Sequence, residues 1–152
     1  GVQTCALPIL TGKRIFLRCD LNVPLKDGVI TDDGRIKASL PTIKYLISKG
    51  CTVVIAAHLG RPKGERKPEL SLAPVAKRLS ELLGQEVKFL SDITGSQSVA
   101  NQMKAGEVAL LENIRYEAFE TSKDESERNV LAQKLSEYGE AFISDEIGRA
   151  HV

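Results

Sequence analysis

The apolar positions along the chain fall into two rhythms. Short, nearly unbroken apolar runs occur at Arg14–Cys19, Thr52–Ala57, Val87–Leu90, Val108–Leu111 and Ala141–Ser144. Runs of that length without polar alternation predict strands covered on both faces. Between them the spacing changes to three and four. Ile36, Leu40, Ile43 and Ile47 share one face of a helix beginning near Arg35, with Asp32 and Asp33 available as caps and Gly50 as its stop. Pro41 falls inside this pattern and predicts a kink or a restart. Leu72, Val75, Ala76, Leu79, Leu82 and Leu83 form a second stripe, opened by Ser71 and closed by Gly84. A weaker helix is predicted over Ser96–Met103, ending near Gly106, and another over Glu125–Tyr138, with Val130, Leu131, Lys134 and Leu135 near its inner face. Lys26-Asp27-Gly28 reads as a hairpin turn. Strand and helix thus alternate from end to end. The fold class is α/β: a three-layer open parallel sheet with helices on both faces and right-handed crossovers. Without repeats, low-complexity stretches or a linker, one domain is expected.

Composition narrows the chemistry. Twenty-one Lys and Arg stand against 20 Asp and Glu, a net charge of +1. Any basic patch must therefore be local, and neither nucleic acid nor a membrane surface is expected as a partner. No apolar run approaches the roughly 18 residues of a membrane span. Three cysteines without a CxxC spacing, and two histidines, suggest neither a disulfide framework nor a zinc site. A reducing, cytoplasmic setting is the default. Cys19 and Cys51 lie beside or within predicted strands and read as packing residues.

In open α/β sheets, ligands sit beyond the carboxyl ends of the strands. The residues at those positions here are unusual: Asp20 and Asn22 after the first strand, His58, Gly60 and Arg61 after the second, Asn113 and Arg115 after the fourth. Arg18 and Arg35 can join them. Four arginines and a histidine around one cleft fit a small, strongly anionic ligand, because the guanidinium fork matches phosphate and carboxylate oxygens two at a time. Taken singly, each has a plainer reading: a solvated arginine, a turn cap at Asp20 or Asn22, a structural His58. Their shared position after strands favours a site. Neither GxGxxG nor GxxxxGK[ST] is present, so a dinucleotide or nucleoside triphosphate is not expected in this domain in the usual way.

The segments Arg18-Cys19-Asp20-Leu21-Asn22-Val23-Pro24, Asp32-Asp33-Gly34-Arg35-Ile36, His58-Leu59-Gly60-Arg61-Pro62-Lys63-Gly64 and Leu111-Glu112-Asn113-Ile114-Arg115 closely resemble the N-terminal domain of the phosphoglycerate kinase family. The resemblance runs over nearly all of Leu10–Asp145. It implies a Rossmann-like N-terminal lobe of a cytoplasmic, monomeric, two-lobed enzyme of glycolysis. That enzyme transfers a phosphoryl group between 1,3-bisphosphoglycerate and ADP, giving 3-phosphoglycerate and ATP. By the same resemblance, Mg-ADP or Mg-ATP would be bound by a C-terminal lobe beyond this sequence, and the fragment alone would be inactive. The implied substrate-binding residues are Arg18, Asp20, Leu21, Asn22, Arg35, His58, Leu59, Gly60, Arg61 and Arg115. Asp20 and Asn22 would meet the glycerate end, and Arg35 would act catalytically on the transferring phosphoryl group. His58 and Arg61 would hold 3-phosphoglycerate, and Arg18 and Arg115 would complete the pocket. Gly34 stands where the family usually has Thr, which would loosen the loop before Arg35. A stand-alone anion-binding α/β module without catalysis is the alternative.

Both ends read as foreign. One possible coding string for Gly1–Ile9, reverse-complemented and read from its second base, encodes Ile147–Val152 followed by a stop. The pair resembles one sequencing adapter translated at both ends. Residues 1–9 and 147–152 are accordingly expected to be non-native, and the domain to span 10–146, with Glu146 ambiguous. Cys5 and His151 then carry no functional argument. Asp145, Gly148, Ala150 and His151 imitate a family motif whose final Arg is replaced by Val152.

Overall fold

A computed structural model describes residues 11–60, 66–116, 125–146 and 149–151. The main sheet holds β1 (Arg14–Cys19), β4 (Thr52–Ala56), β5 (Val87–Leu90), β6 (Val108–Leu111), β7 (Ala141–Glu146) and β8 (Arg149–His151). Their order is β5-β6-β4-β1-β7-β8. All neighbours are parallel except β7 and β8, which run antiparallel. Strand β8 was not expected, and β7 runs to Glu146, two residues past its expected end. A separate hairpin joins β2 (Leu25–Lys26) to β3 (Val29–Ile30). Its two turn residues, Asp27 and Gly28, both have positive φ, 52° and 79°. That pair of angles suits a tight two-residue turn, and Asp-Gly supplies it.

The alternation of side chains along each strand sorts the core into two layers. Ile15, Leu17, Cys19, Val53, Ile55, Val108 and Leu110 pack on one face with α1 (Gly34–Ser48) and α2 (Ala73–Leu83). Phe16, Val54, Ala56, Ala109 and Leu111 pack on the other with α3 (Gln97–Asn101) and the region after α4 (Glu125–Ser136). Helices therefore cover both faces, as the unbroken apolar strands require.

The helices depart from expectation in detail. Helix α1 runs through Pro41 as one element and does not restart. Its buried face is Ile36, Ser39, Thr42, Ile43 and Leu46, while Leu40 and Ile47 are only half-buried. The polar Ser39 lies inside because its hydroxyl bonds the Ile36 carbonyl at 2.8 Å. Asp33 occupies the N-cap position of α1 but makes no side-chain cap bond. Asp32 Oδ1 accepts from the Gly34 N–H at 2.9 Å, whereas Asp33 turns to Arg78 on α2. Helix α3 has five residues, shorter than the expected span. On α4, Leu131 is buried and Leu135 half-buried, but Val130 is 43% exposed and Lys134 is exposed. Residues 131, 135 and 138 lie on one stripe, and their predecessors are turned about 100° away. Tyr138 is fully buried: its hydroxyl donates to the Ile93 carbonyl at 2.7 Å and accepts from the Ser96 N–H at 3.0 Å. Gly139 is needed for space, since a Cβ there would stand 2.5 Å from the Phe16 backbone nitrogen. Cys19 and Cys51 are buried in the core, as their apolar neighbours in sequence implied.

Candidate anion-binding site

The carboxyl ends of β1, β4 and β6 carry three loops that are bonded to one another. Leaving β1, the chain makes a tight turn in which the Asn22 N–H donates to Asp20 Oδ1 at 3.2 Å. Arg35, at the second position of α1, reaches back with Nη1 to Asp20 Oδ1 at 3.2 Å and to the Asn22 carbonyl at 2.9 Å. Its side chain is 49% exposed, so the pair orients the guanidinium without hiding it. The Asn22 Oδ1 then accepts the Gly60 N–H at 3.1 Å, joining the β1 loop to the loop after β4. Gly60 has φ 62°, so its backbone calls for glycine; a Cβ there would stand 2.8 Å from a Leu70 methyl, which can shift.

The third loop follows β6. The Ile114 N–H donates to the Ala57 carbonyl at 3.1 Å. Asn113 Nδ2 donates to the Leu59 carbonyl at 2.7 Å, and Asn113 Oδ1 accepts the Arg115 N–H at 3.1 Å. Arg115 Nε is buried and has no acceptor among the described residues. A buried, unmatched guanidinium donor fits a site built for an oxyanion.

Of the expected site residues, the structure thus joins Asp20, Asn22, Arg35, Gly60 and Arg115 through direct bonds or one intermediary. Leu21 and Leu59 lie in the same loops, but their side chains are buried in the core. Only their backbones can face a ligand. His58 is half-buried on the β4 loop. Arg18 takes a different direction. It lines a 420 Å³ groove with Phe16, Ile114, Leu135 and Phe142, on the α3–α4 side of the sheet. A smaller 330 Å³ hollow is lined by Asn22, Val23, Pro24, Asp32, Gly34 and Arg35. Arg61 lies outside the described residues.

Two residues hold these loops: Glu112, which the sequence pattern does not single out, and Asn113, expected at the sheet edge but without a role. Glu112, 5% exposed, accepts the Ser71 hydroxyl at 2.7 Å, the Leu72 N–H at 2.8 Å and the Asn113 N–H at 2.8 Å. It thereby ties the end of β6 to the start of α2. Asn113 is fully buried. A carboxylate placed directly after an all-apolar strand was the available signal for Glu112. Its partner Ser71 lies 41 residues away, which no local pattern can supply.

The titrating groups nearby are structural. The Arg78 guanidinium, bonded through Nε at 3.0 Å, holds the Asp33 carboxyl below its ordinary value, and Lys37 adds to the effect. The Tyr116 hydroxyl donates to the Lys67 carbonyl. Burial, with the Glu112 charge adding to it, pushes Tyr116 up from 10.0 to about 12. The folded chain therefore keeps this proton where the unfolded chain loses it. Stability from Tyr116 is fully present below pH 10.0 and falls as pH rises towards 12. Unfolding measured across that window should show a shallower alkaline loss in Tyr116→Phe than in the parent, and equal slopes would contradict the assignment.

Among the described residues, no helix is long and apolar enough to cross a membrane, and no group of three or more His, Cys, Asp or Glu could hold a metal ion.

Comparison with known proteins matches the sequence to the phosphoglycerate kinase family over residues 7–152. The chain belongs to the phosphoglycerate kinase family. The phosphoglycerate kinase of Leifsonia xyli subsp. xyli is 54% identical over 148 residues, which cover 96% of this chain and 37% of that protein. That of Clostridium botulinum is 52% identical over 144 residues, covering 92% of this chain and 35% of the relative. The chain thus spans little more than a third of the length of the curated relatives it matches. Among solved structures, the phosphoglycerate kinase of Pyrococcus horikoshii superposes with a TM-score of 0.81 at 41% identity, covering 90% of this chain and 35% of that one. The Coxiella burnetii structure gives 0.80 at 34% identity, covering 97% and 36%.

Proposed function

We propose that this chain is the phosphoglycerate-binding part of a phosphoglycerate kinase. The observation that carries the reading is the bonded cluster of Asp20, Asn22, Arg35 and Gly60 at one edge of the sheet, with Arg115 tied to it through Asn113 and the Leu59 carbonyl. The complete enzyme would move a phosphoryl group reversibly between 1,3-bisphosphoglycerate and ADP. Such a transfer needs positioning and charge neutralisation more than covalent participation by the protein. Asp20 and Asn22 face the glycerate end, His58 and Arg61 hold the phosphate of 3-phosphoglycerate, and Arg115 completes the anion pocket, with Arg18 bordering the same β6 loop from the groove that Ile114 also lines. Arg35 serves the transferring phosphoryl group. Mg-ADP or Mg-ATP is the second substrate, bound by the part of the enzyme outside the matched third. A cytoplasmic monomer accords with this role. Residues 10–146 form the binding domain, and residues 1–9 and 147–152 read as adapter-derived, although the family match extends over residues 7–152.

The test is calorimetric titration of the 152-residue chain with 3-phosphoglycerate. An open cluster of arginines meeting a multiply charged ligand should bind weakly, and several-fold more weakly at about 0.15 M salt than at low ionic strength. Binding of equal strength at both salt concentrations, or none at millimolar ligand, would contradict the proposal.

A further inference from the structure

We propose that Asn113 is a positioning residue for the anion site, acting through the Leu59–Gly60 peptide and the Arg115 backbone. This rests on the phosphoglycerate-binding reading and extends it to a side chain sealed from any ligand. Asn113 is 0% exposed. Its amide nitrogen donates to the Leu59 carbonyl at 2.7 Å and to the Leu70 carbonyl at 3.0 Å. Its amide oxygen accepts the Arg115 N–H at 3.1 Å.

The Leu59 carbonyl and the Gly60 N–H are the two poles of one peptide unit. Asn113 grips the first, and Asn22 Oδ1 grips the second at 3.1 Å. That peptide plane is therefore clamped from opposite edges by asparagines on two other loops. Its orientation sets the course of the chain from His58 to Gly60. The same Asn113 amide joins Leu59 to Leu70, the two ends of the connection that contains Arg61. Through its oxygen it fixes the backbone from which the Arg115 side chain starts. One buried amide thus sets the spacing between the loops after β4 and β6. Only an amide can do this here. A carboxylate of the same shape would present oxygen to two carbonyl oxygens and could keep only the bond to the Arg115 N–H.

The test uses the 152-residue chain and its Asn113→Asp variant, titrated with 3-phosphoglycerate by chemical shift at low salt. Affinity should fall about tenfold or more, since two buried carbonyls lose their donors and the loops they hold are displaced. In the absence of ligand, the Gly60 and Arg115 amide resonances should already be displaced. Ile43→Ala, a truncation in the middle of α1, serves as the control for lost stability and should bind with the parent's affinity. Should Asn113→Asp fail to fold by circular dichroism, Asn113→Ser, which keeps one donor, is measured in the same way. A folded variant that binds within about twofold of the parent, or unmoved Gly60 and Arg115 amides, overturns the positioning role. A parent chain that binds nothing overturns the functional reading and the positioning role together, and is recognised because the parent itself fails. A control that weakens binding as much as Asn113→Asp reduces Asn113 to a merely structural residue.

Discussion

Replacing Arg35 with alanine is expected to lower kcat by about 100-fold or more in a complete enzyme, as loss of a charge-stabilising donor does. The enzyme for this experiment carries residues 10–146 of this chain within a full-length relative. The Arg35 guanidinium is already oriented by Asp20 at 3.2 Å and by the Asn22 carbonyl at 2.9 Å, both through Nη1. It also remains half exposed at the sheet edge. Such a group costs little reorganisation when charge develops beside it, so its effect belongs in kcat more than in substrate affinity. Arg61→Ala should instead mainly raise KM, since its proposed contact is made equally in the ground and transition states. Arg35→Lys should rescue in part, because an ammonium keeps the charge but loses the planar fork. The competing account is a solvated arginine in the first turn of α1, where the helix dipole disfavours a cation. Near-normal kcat in Arg35→Ala would establish that account.

The largest effect on stability is expected at Glu112. Glu112→Ala removes the acceptor shared by the Ser71 hydroxyl and the Leu72 and Asn113 N–H groups. Two of those donors are backbone groups of buried residues. The loss should be about 3 kcal/mol, the scale of stranding buried donors together with a charge-assisted bond. Urea unfolding of the 152-residue chain measures it. A loss below about 1 kcal/mol would mean that water or a shifted backbone satisfies these groups as well as Glu112 does.

The strands were legible because burial on both faces leaves no polar alternation. Three of the five, β1, β5 and β6, lie at their expected residues. The carboxyl-edge residues were legible for the same reason: polar residues that end an apolar run must leave the sheet there. Helix faces were read less well. Ser39 satisfies its own hydroxyl within α1 and can be buried, which shifts the face towards Leu46. Val130 and Lys134 on α4 were assigned inward although the stripe runs through Leu131 and Leu135. Asp33 stands at the N-cap of α1, but its side chain pairs with Arg78, 45 residues away. The roles of Glu112 and Asn113 were invisible for a related reason, since their bonds to the Leu59 and Leu70–Leu72 segments span 40 to 54 residues. The direction of Arg18, towards the α3–α4 face, follows from the pleat of β1 and could have been deduced from its parity with Phe16.

The central claim is that the three loops at the carboxyl edge form one phosphoglycerate site. Its most direct measurement is amide chemical-shift mapping of the 152-residue chain with 3-phosphoglycerate, with sulfate as a competing anion. Displaced resonances should gather at Asp20–Asn22, Arg35, His58–Gly60 and Arg115, and saturate with a single affinity. Sulfate should displace the ligand without reproducing the shifts at Asp20 and Asn22, where the glycerate end is assigned. Shifts confined to other surfaces, or unmoved amides at Gly60 and Arg115 under saturating ligand, would contradict the account.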